Sequence, residues 1–379
     1  MLTGETIYGD SLRNRTSQQS EAARRPMARS HKFIARLLII AMCWAAQAGG
    51  AIVKVDLRKF GYRFTGGAPI GDYSEMSFLS EDLLVVSVNQ RSFPGSSAPF
   101  NSDSPDSMIF VIDLKRGRVI GSGGLPVEKR EGSVQAVVGE RFAVLNEKGI
   151  QLCTVDFRCG APLGKPGPVF TSPQGKRVVF GGADLSFRRV LDVESMKQIG
   201  AFDALHSEGV IPGDRALLLA RGRRSFVQRP GRAETSIQVG TSNFSESRFL
   251  SDETVGYIDG GRKEVRVADL DGNVMHRHKV EDAYRTSLLP TGDGKRFGIY
   301  EHGYSFWNRV ANFLDIYDTR PENLQRVRVV EVSSGSQVAL FEWNPRMLPL
   351  GRLIKPQLSP SGHRLAKVET GVLEVLVVK

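Results

Sequence analysis

The chain is short of the side chains on which local active-site patterns are built. Only 8% of its 379 residues are aromatic, against 40 glycines and 18 prolines. That punctuation-rich mix disfavours coiled coils and helical bundles and suits many short strands. Six histidines, one of them (His31) near the N-terminus, leave a histidine-dependent mechanism few candidates. The three cysteines form no Cys-x-x-Cys redox pair. The sequence also lacks a Gly-x-Ser-x-Gly elbow, a His-Glu-x-x-His helix, a phosphate-cradling Gly-x-x-x-x-Gly-Lys loop and a dinucleotide Gly-x-Gly-x-x-Gly. No cofactor is expected. Any catalytic site would have to be assembled from single residues that the fold brings together.

What is present is enough for a folded domain, since 41% of residues are hydrophobic and 24% charged. Residues 27–36 are basic and free of acids. They run into the apolar stretch Leu37–Ala46 and then the small-x-small pattern Ala46-Gln47-Ala48. This order reads as a secretory signal over 27–48, and its ten apolar residues fall short of the roughly 20 needed to span a bilayer. The expected organisation is a leader over 1–48, with translation starting at Met1 or Met27, followed by a single domain over 49–379. The expected location is periplasmic or secreted, without stable membrane insertion after cleavage. Residues 1–48 hold seven basic and three acidic side chains, so the remaining 331 residues carry 44 basic and 38 acidic ones, a net charge of +6. So mild a surplus does not suggest a nucleic-acid groove.

Without Cys43 in the signal, Cys153 and Cys159 remain, with five residues between them, around an expected strand-to-strand turn. In an oxidising compartment they either bridge, stabilising by about 2 kcal/mol on the chain-entropy account, or stay as two buried thiols.

The strongest signal is repetition. A short apolar strand, a turn of Ser, Pro, Asp and Gly, and further apolar strands recur, as in Phe170-Thr-Ser-Pro-Gln-Gly-Lys-Arg-Val-Val-Phe180 followed by Arg189-Val-Leu-Asp192. Turn anchors fall near 80, 138, 172, 212, 251, 291 and 359, with four consecutive intervals of 34, 40, 39 and 40 residues. That is the length of a four-stranded propeller blade. The remaining intervals, 58 and 68, require insertions. The expected fold is all-β, a seven-bladed β-propeller. The last unit ends at Gly371-Val-Leu-Glu-Val-Leu-Val-Val-Lys379 with one strand missing, and the alternating Ala51-Ile-Val-Lys-Val-Asp-Leu57 is expected to supply it and close the ring.

Asp113 in Val111-Ile-Asp-Leu-Lys-Arg-Gly-Arg-Val-Ile120 and the turn Leu358-Ser-Pro-Ser-Gly362 resemble the repeat of WD-type and YVTN-type β-propeller proteins. The similarity covers most of 51–379. It departs from the repeat in having no tryptophan beside Asp, and in placing Gln228-Arg-Pro-Gly231 where Asp would stand. The resemblance implies a ring around a central channel, used mainly as a binding platform and less often as an enzyme.

Three insertions carry aromatic residues. They span Asn89–Ser107 with Phe93 and Phe100, Glu301–Asn308 with Tyr304, Phe306 and Trp307, and Phe341–Leu350 with Trp343. If the first two join second to third strands and the third joins a fourth strand to the next blade, all leave from one face and from neighbouring blades. Those six aromatics are the expected contact patch for a protein or glycan. The competing reading is that they only cover their own loops.

Weaker constellations complete the sequence. His276 and His278 alternate on a strand without an identifiable third metal ligand. Asp269-Leu-Asp-Gly-Asn273 has its glycine misplaced for a calcium loop and reads as a hairpin turn. Arg221, Arg223, Arg224, Arg229 and Arg232 crowd one blade, facing either solvent or an anionic surface. The favoured function is an exported binding or interaction module. The alternative is a propeller hydrolase or lactonase with its site at the channel mouth.

Overall fold

The computed structural model describes residues 51–60, 75–89, 107–125, 134–138, 141–146, 149–163, 169–181, 187–203, 209–221, 224–229, 233–237, 247–302, 325–343, 355–369 and 371–378. All belong to one compact unit, Gly49–Lys379. The described residues hold no α-helix, only 3-10 turns at Leu57–Phe60 and Ala283–Arg285. The rest of the regular structure is antiparallel β.

The strands follow chain order. An N-terminal strand, β1 (Ala51–Asp56), precedes sheet I, made of β2 (Glu75–Phe78), β3 (Leu83–Asn89), β4 (Ser107–Asp113) and β5 (Arg118–Leu125). Sheet II comprises β6 (Val134–Val138), β7 (Arg141–Asn146) and β8 (Gly149–Cys153). Sheet III comprises β9 (Val169–Thr171), β10 (Arg177–Gly181), β11 (Phe187–Asp192) and β12 (Lys197–Asp203). Sheet IV is β13 (Gly209–Pro212), β14 (Leu217–Arg221), β15 (Arg224–Gln228) and β16 (Thr235–Ile237). Sheet V is β17 (Ser247–Phe249), β18 (Thr254–Asp259), β19 (Glu264–Asp269) and β20 (Val274–Lys279). Sheet VI is β21 (Thr286–Pro290), β22 (Arg296–His302), β23 (Gln325–Glu331) and β24 (Gln337–Trp343). Sheet VII takes β25 (Gln357–Leu358), β26 (Arg364–Glu369) and β27 (Val372–Val377) from the C-terminus.

Each four-stranded sheet is a propeller blade, with strands a to d counted outward from the axis. The expected closure is present. Strand β1 pairs antiparallel with β27, with Val53 opposite Val375 and Val55 opposite Leu373, so sheet VII reads β1-β27-β26-β25. The reason is visible in the alternation of Ala51–Leu57. Val55 and Leu57 are buried with Phe110, Ile112, Leu373 and Val375 in a cluster joining sheets VII and I. Ile52, on the other face, is exposed.

The a strands meet around an axis. Strand β2 touches β6, β6 touches β9, and the contacts continue through β13, β17, β21 and β25 back to β2. Apolar clusters fill the spaces between successive sheets. Val85 and Phe142 join I to II, Val178 and Ile150 join III to II, and Val190 and Leu219 join III to IV. Phe249 and Leu218 join V to IV, Phe297 and Ile258 join VI to V, and Leu365 and Val327 join VII to VI. A sheet this small cannot bury both faces alone, and here each face is covered by the next sheet.

The repeat is written into two turns. At the a–b turn, Ser172, Thr291 and Ser359 stand five residues before Arg177, Arg296 and Arg364. The Ser172 and Ser359 hydroxyls accept from the Arg177 and Arg364 amides at 3.0 and 3.2 Å, and the Thr291 hydroxyl donates to the Arg296 carbonyl at 2.6 Å. Between them Gly175, Gly294 and Gly362 adopt φ of 68°, 66° and 69°, which favours glycine because there is no Cβ to collide. At the c–d turn of sheets I, III and V, the Asp that ends the third strand caps the backbone. Asp113 accepts from the amide of Arg116, Asp192 from that of Ser195, and Asp269 from those of Asp271 and Asn273. The Asp269–Asn273 segment is therefore a hairpin turn, as its sequence indicates.

Seven four-stranded units were expected; the described residues form six, and sheet II has three strands. Its outer edge is held differently. Cys153 and Cys159 form a disulfide, and residues 159–163 run back along β8. There the Gly160 amide donates to the Leu152 carbonyl at 3.0 Å and the Leu163 amide to the Ile150 carbonyl at 2.8 Å. The Gln151 side chain donates to the Gly160 carbonyl at 2.7 Å. Pro162 has no N–H to give, so no regular ladder forms.

Candidate functional site

Strands in a blade alternate in direction, so the b–c and d–a connections leave from one end of the ring and the a–b and c–d turns from the other. Residues 90–106 link β3 to β4, 303–324 link β22 to β23, and 344–354 stand between β24 and β25. All three leave from the b–c end, from sheets I, VI and VII, which adjoin one another through β21, β25 and β2.

Of the six aromatics expected to form a contact patch, Phe93, Phe100, Tyr304, Phe306 and Trp307 lie outside the described residues. Trp343 ends β24 opposite Gln325 and is half-buried against the cluster between sheets VI and VII. The Lys367 ammonium sits 5.5 Å from the centre of its ring. Lys367 is in turn bound to Glu374 at 2.9 Å and Glu369 at 3.4 Å.

At the end of β22, the buried Glu301 carboxylate is engaged through both oxygens. It accepts from Arg326 Nε and from the backbone amide of Glu281, both at 3.1 Å, and forms an ion pair with Arg328 Nη2 at 3.0 Å. Nearby Tyr300 is buried, and burial pushes its phenol up from the ordinary value.

His276 and His278 do share a face of β20, alternating with exposed Met275, Arg277 and Lys279. That face is turned to sheet VI. His276 Nε2 lies 3.0 Å from the Ser333 carbonyl, and the His278 ring meets Phe297 edge-on with centroids 6.0 Å apart. Burial, followed by the positive charge of Arg328, pulls the His278 imidazole down to about 4. Among the described residues no three His, Cys, Asp or Glu side chains converge as a metal site. Of the arginine group on sheet IV, Arg229 pairs with Asp271 of sheet V, and Arg223 and Arg232 lie outside the described residues.

At the opposite end, the axis opens into a cavity of about 990 Å³ lined by the a strands and a–b turns of sheets I, III, IV, V, VI and VII. Phe170, Ile211 and Leu288 supply apolar wall, and Arg248 and Lys355 supply cations. The carboxylates at its rim hold turns: Glu81 accepts from the Ser361 amide at 2.5 Å, and Asp293 accepts from Thr291 Oγ1 and the Lys295 amide, both at 3.0 Å. A smaller recess of about 270 Å³ lies between neighbouring turns and includes Arg215 and Asp252, 3.7 Å apart. Burial, and then nearby Asp214, raises the Asp252 carboxyl above its usual range.

Sequence reasoning missed the lateral bonds at this end. Arg177 reaches the Gly213 carbonyl, Arg296 the Gly362 carbonyl, both at 3.4 Å, and Arg364 the Glu81 carbonyl at 2.6 Å. Each arginine ends one a–b turn and binds the turn of the next sheet. The five-residue spacing from Ser or Thr to Arg in three copies was the available signal.

No family model matches the chain, and no curated protein matches it either. No helix among the described residues is long and apolar enough to cross a membrane.

Proposed function

We propose that the protein is an exported, seven-bladed propeller of the WD/YVTN type that acts as a binding module, with its contact face at the b–c end. The observation that carries this is the pairing of β1 with β27 together with the β25–β2 contact, which makes the sheets bearing the three long connections neighbours on a closed scaffold. Sheet II counts as the seventh blade: β6 stands between β2 and β9, and the disulfide-tethered segment 159–163 takes the place of its outer strand. The bridge itself suits an oxidising compartment and supports export through the signal at 27–48. Long loops on a rigid ring are a common location for binding residues, and Phe93, Phe100, Tyr304, Phe306, Trp307 and Trp343 are the proposed contacts for a protein or glycan.

The hydrolase reading, with a site at the mouth of the large cavity, is weaker. The rim carboxylates of Glu81 and Asp293 are engaged in turn hydrogen bonds rather than paired for acid–base work.

Two measurements test the favoured reading. Intact mass of the protein from the exported fraction should correspond to cleavage after Ala48. Retention of residues 27–48 there would overturn the signal. Trp307→Ala and Phe93→Ala should abolish capture of the partner recovered by crosslinking while leaving the melting temperature unchanged. Lost stability with capture intact would sink the contact patch.

A further inference from the structure

Near the b–c end, sheets V, VI and VII pair every buried charge shown there with one of opposite sign. Asp259 and Glu264, register partners in sheet V, share Arg266 at 2.9 and 3.2 Å, and Glu264 also holds Lys279 at 2.8 Å. Glu301 and Arg326 do the same in sheet VI, and Lys367 and Glu374 in sheet VII. This is the usual requirement, because an ion removed from water without a counter-charge is expensive.

Sheet III departs from it. Arg188, on β11, is only 8% exposed, and its Nε and Nη1 are buried with no hydrogen-bond partner among the described residues. Its register partners, Gly181 and Phe202, carry no acid. Burial lowers its pKa, but a guanidinium does not give up its proton at any physiological pH. Alternation along β11 puts Arg188 on the face of Val190, and Val190 packs with Val210 and Leu219 of sheet IV. On sheet IV the backbone register sets Arg221 opposite Arg224, at the place where sheet V has Asp259 opposite Glu264. The backbone register of sheet IV therefore carries arginine where that of sheet V carries acid.

We propose that the cleft between sheets III and IV, at the b–c end, is an anion site. A small oxyanion, either a phosphate group or a sugar carboxylate, supplies the counter-charge that Arg188 lacks. The site stands apart from the aromatic patch and does not depend on it.

The test is titration of the purified mature chain with inorganic phosphate and, separately, with glucuronate. Ionic strength is held constant with sodium chloride, and binding is followed by calorimetry and melting temperature. At least one anion should bind saturably and raise the midpoint. Binding of phosphate alone assigns a phosphate-bearing ligand, and binding of glucuronate alone assigns an acidic glycan. Arg188→Gln should weaken that binding at least tenfold. Arg188→Lys, which keeps the charge and is the fallback if the first variant does not fold, should weaken it several-fold. Arg229→Gln, on an arginine already paired with Asp271, should leave it unchanged. No saturable binding of either anion to the native chain, or equal binding by the Arg188 variants, would overturn the proposal.

Discussion

Sheets II and VII both lack a fourth strand from their own stretch of chain, and they solve the problem by different means. Sheet VII borrows β1 from the N-terminus, which adds a ladder along β27 and buries Val55 and Leu57 against sheet I. Sheet II folds its own continuation back on β8 and fixes it by Cys153–Cys159, two backbone hydrogen bonds and the Gln151 amide. The apolar borrowed strand closes the ring, whereas the covalent tether only finishes one edge. Loss of the first should therefore be felt throughout the ring and loss of the second mainly in its own sheet.

The largest effect should come from Val55→Asp. It places an unpaired charge in the VII–I cluster and should cost about 3–5 kcal/mol in denaturant unfolding, whereas Ile52→Asp, on the exposed face of the same strand, should stay within about 0.5 kcal/mol. Equal effects would mean that β1 does not close the ring through its apolar face. Next, reduction of the disulfide, or Cys153→Ser with Cys159→Ser, should cost about 2 kcal/mol. Hydrogen exchange should speed up in 149–153 and not in 372–377. Exchange that accelerates equally in both segments would erase the distinction between the two devices.

A pH titration supplies a reference from the regular sheets. His278 has a native pKa of about 4 against an ordinary 6.5, so the unfolded chain takes up a proton that the native chain refuses. Its contribution is full above pH 6.5 and is lost as pH falls toward 4, amounting to about 1–2 kcal/mol once partial solvent access is allowed for. His278→Phe should flatten that part of the stability profile. A profile as steep as the native one would put the proton uptake elsewhere. The smallest effect should be Arg364→Ala, which removes the bond from sheet VII to the Glu81 carbonyl and the ion pair with Asp82. About 1 kcal/mol is expected, against nearly none for the more exposed Arg116→Ala.

Features that depend on neighbours in the chain were legible in the sequence. The Ser/Thr–Gly–Arg turn and the capping Asp are each decided within a few residues, so they recur at a readable period and fix the all-β class. The missing outer strand of sheet VII was legible because β1 alternates strictly from Val53 to Leu57. The outer edge of sheet II was not, because the Gly- and Pro-rich stretch around Pro162 does not reveal that the segment still runs along β8. The lateral bonds of Arg177, Arg296 and Arg364 escaped because their acceptors are backbone carbonyls of another sheet, which carry no residue signature. Arg188 escaped for a related reason: whether an arginine is solvated or sealed depends on which face the adjoining sheet covers. The cysteine pair was left open between bridge and free thiols, and the return of 159–163 along β8 is what brings the two sulfurs together.

The borrowed strand also sets an order on biosynthesis. Residues 51–56 are synthesised long before residues 372–377, with which they form their ladder among the described residues. A nascent or prematurely terminated chain accordingly keeps β1 unmatched, with a bare hydrogen-bonding edge free to recruit other polypeptides.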